Sequence, residues 1–287
     1  MASLTINSTY RLNSGYEIPV LGFGVYQTPP EQTEEVVLQA LQAGYRQIDS
    51  AIYYQNEAGA AAGMRRSGIP RDQIFFTTKI SPTITTYEGT VKAVDESLAK
   101  TGLDYIDLFL IHAPFGGKTG RLAVWRALSE AVQAGKIRSI GVSNFNVKDM
   151  EEIEAYIKER EAEKPGSGVP LSVNQVELHP WLTRPEIVKW SQDHGVLLQA
   201  YSPLMQGNRA QDPVLQEVAK KYNKSWAQIL IRWSLQKGWS PLPKSVTKSR
   251  IEDNANVFDF ELAPEDVEKL TTDEYITTSA WDPTIHD

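Results

Sequence analysis

Short apolar runs recur along the chain at positions 20–23, 46–48, 74–78, 105–111, 137–142, 172–177, 196–201 and 239–243, several of them apolar at consecutive rather than alternate positions. Consecutive apolar residues suit a parallel strand that is covered on both faces. Between the runs, apolar residues return every third or fourth position: Val91, Val94 and Leu98; Trp125, Leu128 and Val132; Met150, Ile153 and Ile157; Leu215, Val218, Ala219 and Tyr222; Trp226, Ile229, Leu230 and Trp233. That spacing gathers one stripe on a helix, which the strands can cover. Gly44, Gly68, Gly102, Gly135 and Gly195 each stand shortly before a strand, where a helix C-cap favours left-handed backbone. The start of the chain differs: residues 4–12 and 16–19 flank Asn13-Ser14-Gly15 and predict a β-hairpin.

Eight strand-then-helix units follow the hairpin without a Gly/Ser linker or a low-complexity segment; the polar stretch 158–168 reads as a helix end and loop. The pattern predicts an α/β fold, a (β/α)8 TIM barrel with an N-terminal β-hairpin, formed by one domain over residues 1–287. The formal net charge of −7 argues against a nucleic-acid partner or a basic membrane surface. Cysteine is absent, which excludes disulfides, a thiolate nucleophile and Cys-ligated metals. His112, His179, His194 and His286 include no pair four residues apart, so no metal site is expected. With no basic-then-apolar leader and no run of membrane-spanning length, the expectation is a cytoplasmic protein. Neither G-x-G-x-x-G nor G-x-x-x-x-G-K-[ST] occurs, so any nucleotide is held without a Rossmann or Walker turn.

A barrel of this kind carries its chemistry at the C-terminal ends of its strands. Polar residues collect there: Asp49 and, in the following loop, Tyr54; then Lys79, His112, Ser143-Asn144, Asn174-Gln175, Tyr201 and Lys244-Ser245. Each alone would suit a structural role at the rim; an acid, a phenol, an amine and an imidazole together suggest proton transfer. A phenol with a pKa near 10 exchanges protons poorly at neutral pH, and a cation about 4 Å away at an effective dielectric of about 20 contributes roughly 4 kcal/mol. Lys79 is therefore expected to bring Tyr54 into a useful range, with Asp49 keeping the amine charged and His112 fixing a substrate oxygen.

The strings Asp49-Ser50-Ala51-Ile52-Tyr53-Tyr54-Gln55-Asn56-Glu57, Thr78-Lys79, Leu110-Ile111-His112, Gly141-Val142-Ser143-Asn144-Phe145, Asn174-Gln175-Val176-Glu177, Ala200-Tyr201-Ser202-Pro203-Leu204 and Pro243-Lys244-Ser245-Val246-Thr247 resemble, in order, the signatures of the aldo-keto reductase family. The resemblance runs from the hairpin to Leu262. It implies NADPH-dependent reduction of an aldehyde or ketone to an alcohol, with NADPH (NADP+) as cofactor. On this resemblance Tyr54 is the general acid, Lys79 and Asp49 tune it, and His112 orients the carbonyl. Ser143, Asn144 and Gln175 match the carboxamide-binding set. Tyr201 matches the ring that stacks on the nicotinamide, with Ser202 and Leu204 beside it. Lys244, Ser245 and Arg250 match positions that hold the 2′-phosphate, and Asn254 an adenine contact. Ser249-Arg250-Ile251-Glu252 also has the spacing of a capping box, which predicts a helix start there.

Departures from the family pattern concern the substrate. Ala113 follows the His where many members carry Trp, and Val25-Tyr26 replaces a common Thr-Trp pair. The loop 114–120 is short and Gly-rich, and the tail beyond Leu262 is poor in apolar residues, so an open mouth is expected. Tyr26, Tyr53 and Phe115, with Trp181 and Trp281, are the expected apolar rim, and Tyr26, Tyr53, His112 and Phe115 the expected substrate contacts. The expected partner is a small-molecule carbonyl, and no protein partner is expected. The alternative is a nicotinamide-nucleotide-sensing regulatory subunit with little turnover; a barrel hydrolase using Asp49 and His112 is a third reading.

Overall fold

The computed structural model describes residues 4–285; His286 lies outside the described residues. Strands β1 (Thr9–Arg11) and β2 (Glu17–Pro19) pair antiparallel about Asn13-Ser14-Gly15. Eight parallel strands follow: β3 (Phe23–Gly24), β4 (Gln47–Asp49), β5 (Phe75–Ile80), β6 (Ile106–Ile111), β7 (Ile137–Ser143), β8 (Leu171–Glu177), β9 (Leu197–Tyr201) and β10 (Ser240–Pro241), each bonded to the next in chain order. The helices between them are α1 (Pro30–Gln42), α2 (Glu57–Arg66), α3 (Tyr87–Thr101), α4 (Gly117–Gln133), α5 (Val147–Glu163), α6 (Pro185–Asp193) and the pair α7 (Pro213–Tyr222) and α8 (Trp226–Gln236). After β10 come α9 (Lys248–Ala255) and α10 (Pro264–Leu270).

The ring closes where its first and last strands meet. Pro241 and Pro243 have no N–H to offer, but their carbonyls accept from Gly22 N (3.1 Å) and Gly24 N (3.0 Å), while the N–H of Leu242 turns the other way to Ala200 O (3.0 Å). The prolines explain why β10 is only two residues long although the apolar run covers 239–243. Gly22 leaves room at the seam for the buried Leu242 and Gln47 side chains, which would have to shift for a Cβ lying 2.5 Å from Leu242 Cδ2 and 2.8 Å from Gln47. At the N-terminal end the hairpin acts as a plug: Leu12 and Ile18 pack with Phe75, Leu108, Leu110 and Val173 inside the barrel. Asn13 Nδ2 donates to Leu171 O (2.8 Å), and Ser14 and Ser139 share a hydroxyl bond of 2.7 Å. The hairpin thus fills the N-terminal end of the barrel interior.

Four local expectations need correction. Lys79 lies inside β5 rather than after it, and Asp49 and Ser143 likewise end β4 and β7 from within, because each polar head has a buried partner. Val91 is exposed, and α3 instead buries Thr90, Ala93, Val94, Ser97 and Thr101. The loop 114–120 is shorter than expected, as α4 starts at Gly117. The capping box does not form: Ser249 lies within α9, whose N-cap is Thr247 with no side-chain cap bond. Ser245 Oγ accepts from Thr247 N (3.0 Å) instead and shapes the turn before the helix. Among the described residues no helix is long and apolar enough to cross a membrane.

Candidate active site

Neighbouring strands β4, β5 and β6 bring Asp49, Lys79 and His112 to the same end of the barrel, and the 3₁₀ turn Ile52–Tyr54 folds Tyr54 over them. Lys79 is 0% exposed. Its ammonium donates to Asp49 Oδ1 (2.6 Å), Ser50 O (2.8 Å) and Tyr54 Oη (3.4 Å), which uses the three protons an ammonium has. The second oxygen of Asp49 accepts from Gln175 Nε2 (2.8 Å). Tyr54 Oη accepts from Lys79 and donates to nothing among the described residues, so its own proton is unspent. The His112 ring stands edge-on to Tyr54 at 5.6 Å, and its Nδ1 is buried without a partner.

The electrostatics differ from expectation in one respect. Burial, then the Asp49 carboxylate and the phenols of Tyr201 and Tyr26, hold the Tyr54 pKa well above 10, so the neighbouring Lys79 charge does not bring the phenol into the neutral range in the resting site. A protonated donor results. Burial also lowers the pKa of Lys79, with Asp49 opposing that shift through charge and hydrogen bond. His112 is pushed down to about 3 by burial and by the nearby Lys79 charge, which leaves a neutral imidazole at pH 7. The unfolded ring takes a proton near pH 6.5 while the folded ring resists until about pH 3, so His112 destabilises the fold progressively as pH falls through that window and has no such effect above it. Urea unfolding at about pH 7 and pH 5 should therefore show the parent losing more stability on acidification than His112→Gln.

Around this centre, Ser143 Oγ donates to Gln175 O (2.8 Å) and accepts from Asn144 Nδ2 (3.1 Å). Asn144 Nδ2 also donates to His112 O (3.0 Å), and Asn144 Oδ1 accepts from Tyr201 Oη (2.8 Å). Gln175 spends both amide protons, on Asp49 and on Gln199 Oε1 (3.0 Å). Its side-chain oxygen Oε1 has no partner among the described residues. Non-glycine residues in left-handed backbone crowd the loops of this face: Gln27, Gln55, Asn144, Arg184, Ser202, Met205 and Gln206. Such conformations cost of order 1 kcal/mol or more each and are concentrated where a site over-determines its geometry. Leu204 is half-buried in the same turn, against the core. Beyond β10, the ammonium of Lys244 reaches only Gln27 O (3.5 Å), Arg250 is exposed, and neither has a carboxylate partner among the described residues. Asn254 is buried on α9.

Tyr26 packs on Tyr54 with ring centroids 5.0 Å apart, Tyr53 lies 6.4 Å from His112 and is 63% exposed, and Phe115 and Trp281 are exposed. Trp181, by contrast, is buried at 3% exposure, with its ring 6.1 Å from His179. The tail is pinned to the barrel by polar contacts. Thr278 N donates to Glu177 Oε1 (2.8 Å), and the Arg184 guanidinium holds Thr284 Oγ1 (2.6 Å) and the Asp282 carboxylate (3.1 Å). Asn146 Nδ2 reaches Thr284 O at 3.2 Å. A tail poor in apolar residues is thus anchored by buried polar bonds, which hydropathy does not reveal. Ser50, Asn56, Glu57 and Gln199 were also missed as parts of the site; a polar residue at an otherwise apolar strand end is a signal for Ser50 and Gln199, whereas Asn56 and Glu57 stand at the start of α2 and carry none.

The family model for the aldo/keto reductase family matches residues 20–272. The chain is 43% identical over 267 residues to the glyoxal reductase of Bacillus subtilis, covering 93% of this chain and 92% of that protein. A crystal structure of an aldo/keto reductase from Brucella melitensis superposes with a TM-score of 0.86 at 42% identity, covering 94% and 98% of the two chains. A Bombyx mori aldo-keto reductase solved in complex with NADP gives 0.81 at 33% identity, over 93% and 92%. The closed ring of eight parallel strands, the hairpin plug and these matches together mean that the chain belongs to the aldo/keto reductase family of oxidoreductases.

Proposed function

We propose that this protein is an NADPH-dependent reductase of small aldehydes or ketones, in which Tyr54 gives its proton to the carbonyl oxygen. The observation that carries the reading is the fully bonded Lys79 ammonium beneath a phenol whose proton is unspent. When bound, NADPH supplies a hydride from nicotinamide C4 to the carbonyl carbon. His112, neutral and with unspent hydrogen-bonding capacity, holds the carbonyl oxygen near Tyr54. Because the phenol stays protonated at neutral pH, the reductive direction needs no prior proton uptake, whereas alcohol oxidation needs a phenolate and gains from raised pH.

The residues present fit the cofactor. The free side-chain oxygen Oε1 of Gln175 can accept a carboxamide N–H, and Asn144 is immobilised beside it by Tyr201 and the His112 carbonyl. Tyr201, half-buried, offers a ring face for the nicotinamide, with Ser202 and Leu204 in the adjoining turn. Lys244 and Arg250, with no carboxylate partner among the described residues, suit a 2′-phosphate, with Ser245 and Asn254 beside them. The NADP complex of the silkworm relative supports that choice, and the glyoxal reductase relative supports a small carbonyl substrate.

The test is NADPH oxidation followed by absorbance across a panel of small aldehydes and ketones, repeated with NADH. Tight NADPH binding without turnover on any of them overturns the reading. Arg250→Ala is expected to weaken NADPH binding about ten- to a hundredfold, the value of one charge-assisted contact, and to leave NADH binding unchanged. Fluorescence titration with both nucleotides checks it.

A further inference from the structure

Asn56 stands two residues beyond Tyr54, immediately before α2, and is buried. An asparagine in that position ordinarily turns its side-chain oxygen to a first-turn N–H of the helix. This one makes no such bond. Its Oδ1 accepts from Ser50 Oγ (2.8 Å), and its Nδ2 donates to Val25 O (2.9 Å) and Thr28 O (3.2 Å). Both amide protons and the carbonyl oxygen are committed to the loops that follow β3 and β4. Those loops bear directly on the site: the Ser50 carbonyl accepts from Lys79 Nζ (2.8 Å), and Val25 precedes Tyr26, whose ring packs on Tyr54.

Glu57 anchors the far side of the same turn. Its buried Oε1 takes hydroxyl bonds from Thr78 (2.7 Å), the residue before Lys79, and from Ser97 on α3 (2.9 Å). The turn that carries Tyr54 is therefore fastened to the Lys79 strand by Glu57 and to the Lys79 acceptor by Asn56. The contact between Lys79 and Tyr54, at 3.4 Å, lies near the outer limit of a hydrogen bond, so a small drift of either group breaks it.

We infer that Asn56 is a positioning residue for proton transfer, bridging Ser50 to the 25–28 loop so that the Tyr54 hydroxyl stays over the Lys79 ammonium. The inference rests on the proposal that Tyr54 is the proton donor. Asn56→Ala is expected to lower kcat for carbonyl reduction about ten- to a hundredfold, the cost of a misplacement of roughly 1 Å, with NADPH affinity unchanged. In a Tyr54→Phe background the same substitution is expected to add almost nothing, because the group it positions is gone.

A kcat for Asn56→Ala within about twofold of the parent overturns the inference, and so does an equal fractional loss in the Tyr54→Phe background, which would mark a general structural role. If Asn56→Ala does not fold, Ser50→Ala decides under the same readouts, and an unchanged kcat there overturns the inference. Near-parent activity of Tyr54→Phe alone is a separate result: it overturns the donor assignment, and this inference with it.

Discussion

Tyr54→Phe is expected to lower kcat for NADPH-dependent carbonyl reduction by about a hundred- to ten-thousandfold, the range contributed by a positioned general acid. The substitution keeps the ring that packs on Tyr26 and His112 and removes only the hydroxyl. Lys79 then loses the weakest of its three acceptors and retains Asp49 and Ser50 O, so the cost in stability is about 1 kcal/mol. NADPH affinity is expected to stay the same. Steady-state kinetics near pH 7, paired with a nucleotide titration, separates the two effects. A Phe variant retaining about a tenth or more of the parent kcat contradicts the proposed role.

Lys79→Met is expected to damage both folding and activity. The Asp49 carboxylate would remain buried with Gln175 as its main donor and no cation. Removing one partner of a buried ion pair costs about 3–5 kcal/mol, and at about 2–4 °C per kcal/mol the fall in Tm is roughly 10 °C. Adding Asp49→Asn should recover most of the stability, since the orphaned charge is then gone. Activity is not expected to return with it. Thermal melts of both variants beside their kcat values check the prediction, and equal melting of the single and double variants contradicts it.

How much of this was legible depends on what each residue pairs with. Strand β6 was readable because 105–111 is apolar at nearly consecutive positions, whereas β8 was marked only by Val173 and Val176 among the polar residues of 172–177. Strand β5 looked as if it ended two residues earlier than it does, because Lys79 reads as a strand end until Asp49 and Ser50 O are seen to receive it. The centre of the site was readable from the polar residues closing the strands. Its supports were not: Asn56 and Glu57 look like a helix start, and only the fold shows their side chains turned away from α2 toward Ser50 and Thr78. The anchored tail was hidden for a related reason, since the Arg184 and Asp282 partnership spans nearly a hundred residues and leaves no periodic trace.

The seam between Gly22, Gly24 and the two prolines also bears on biosynthesis. Asp49, Tyr54, Lys79 and His112 come from consecutive units and emerge from the ribosome early, whereas the carbonyls that complete the ring belong to residues 241 and 243. Joining segments so distant in sequence carries a loop-closure cost repaid only when the last strand arrives. A nascent chain released before that point has an unpaired edge at β3 and lacks Lys244 and Arg250, so premature termination yields an aggregation-prone fragment rather than a weakened enzyme.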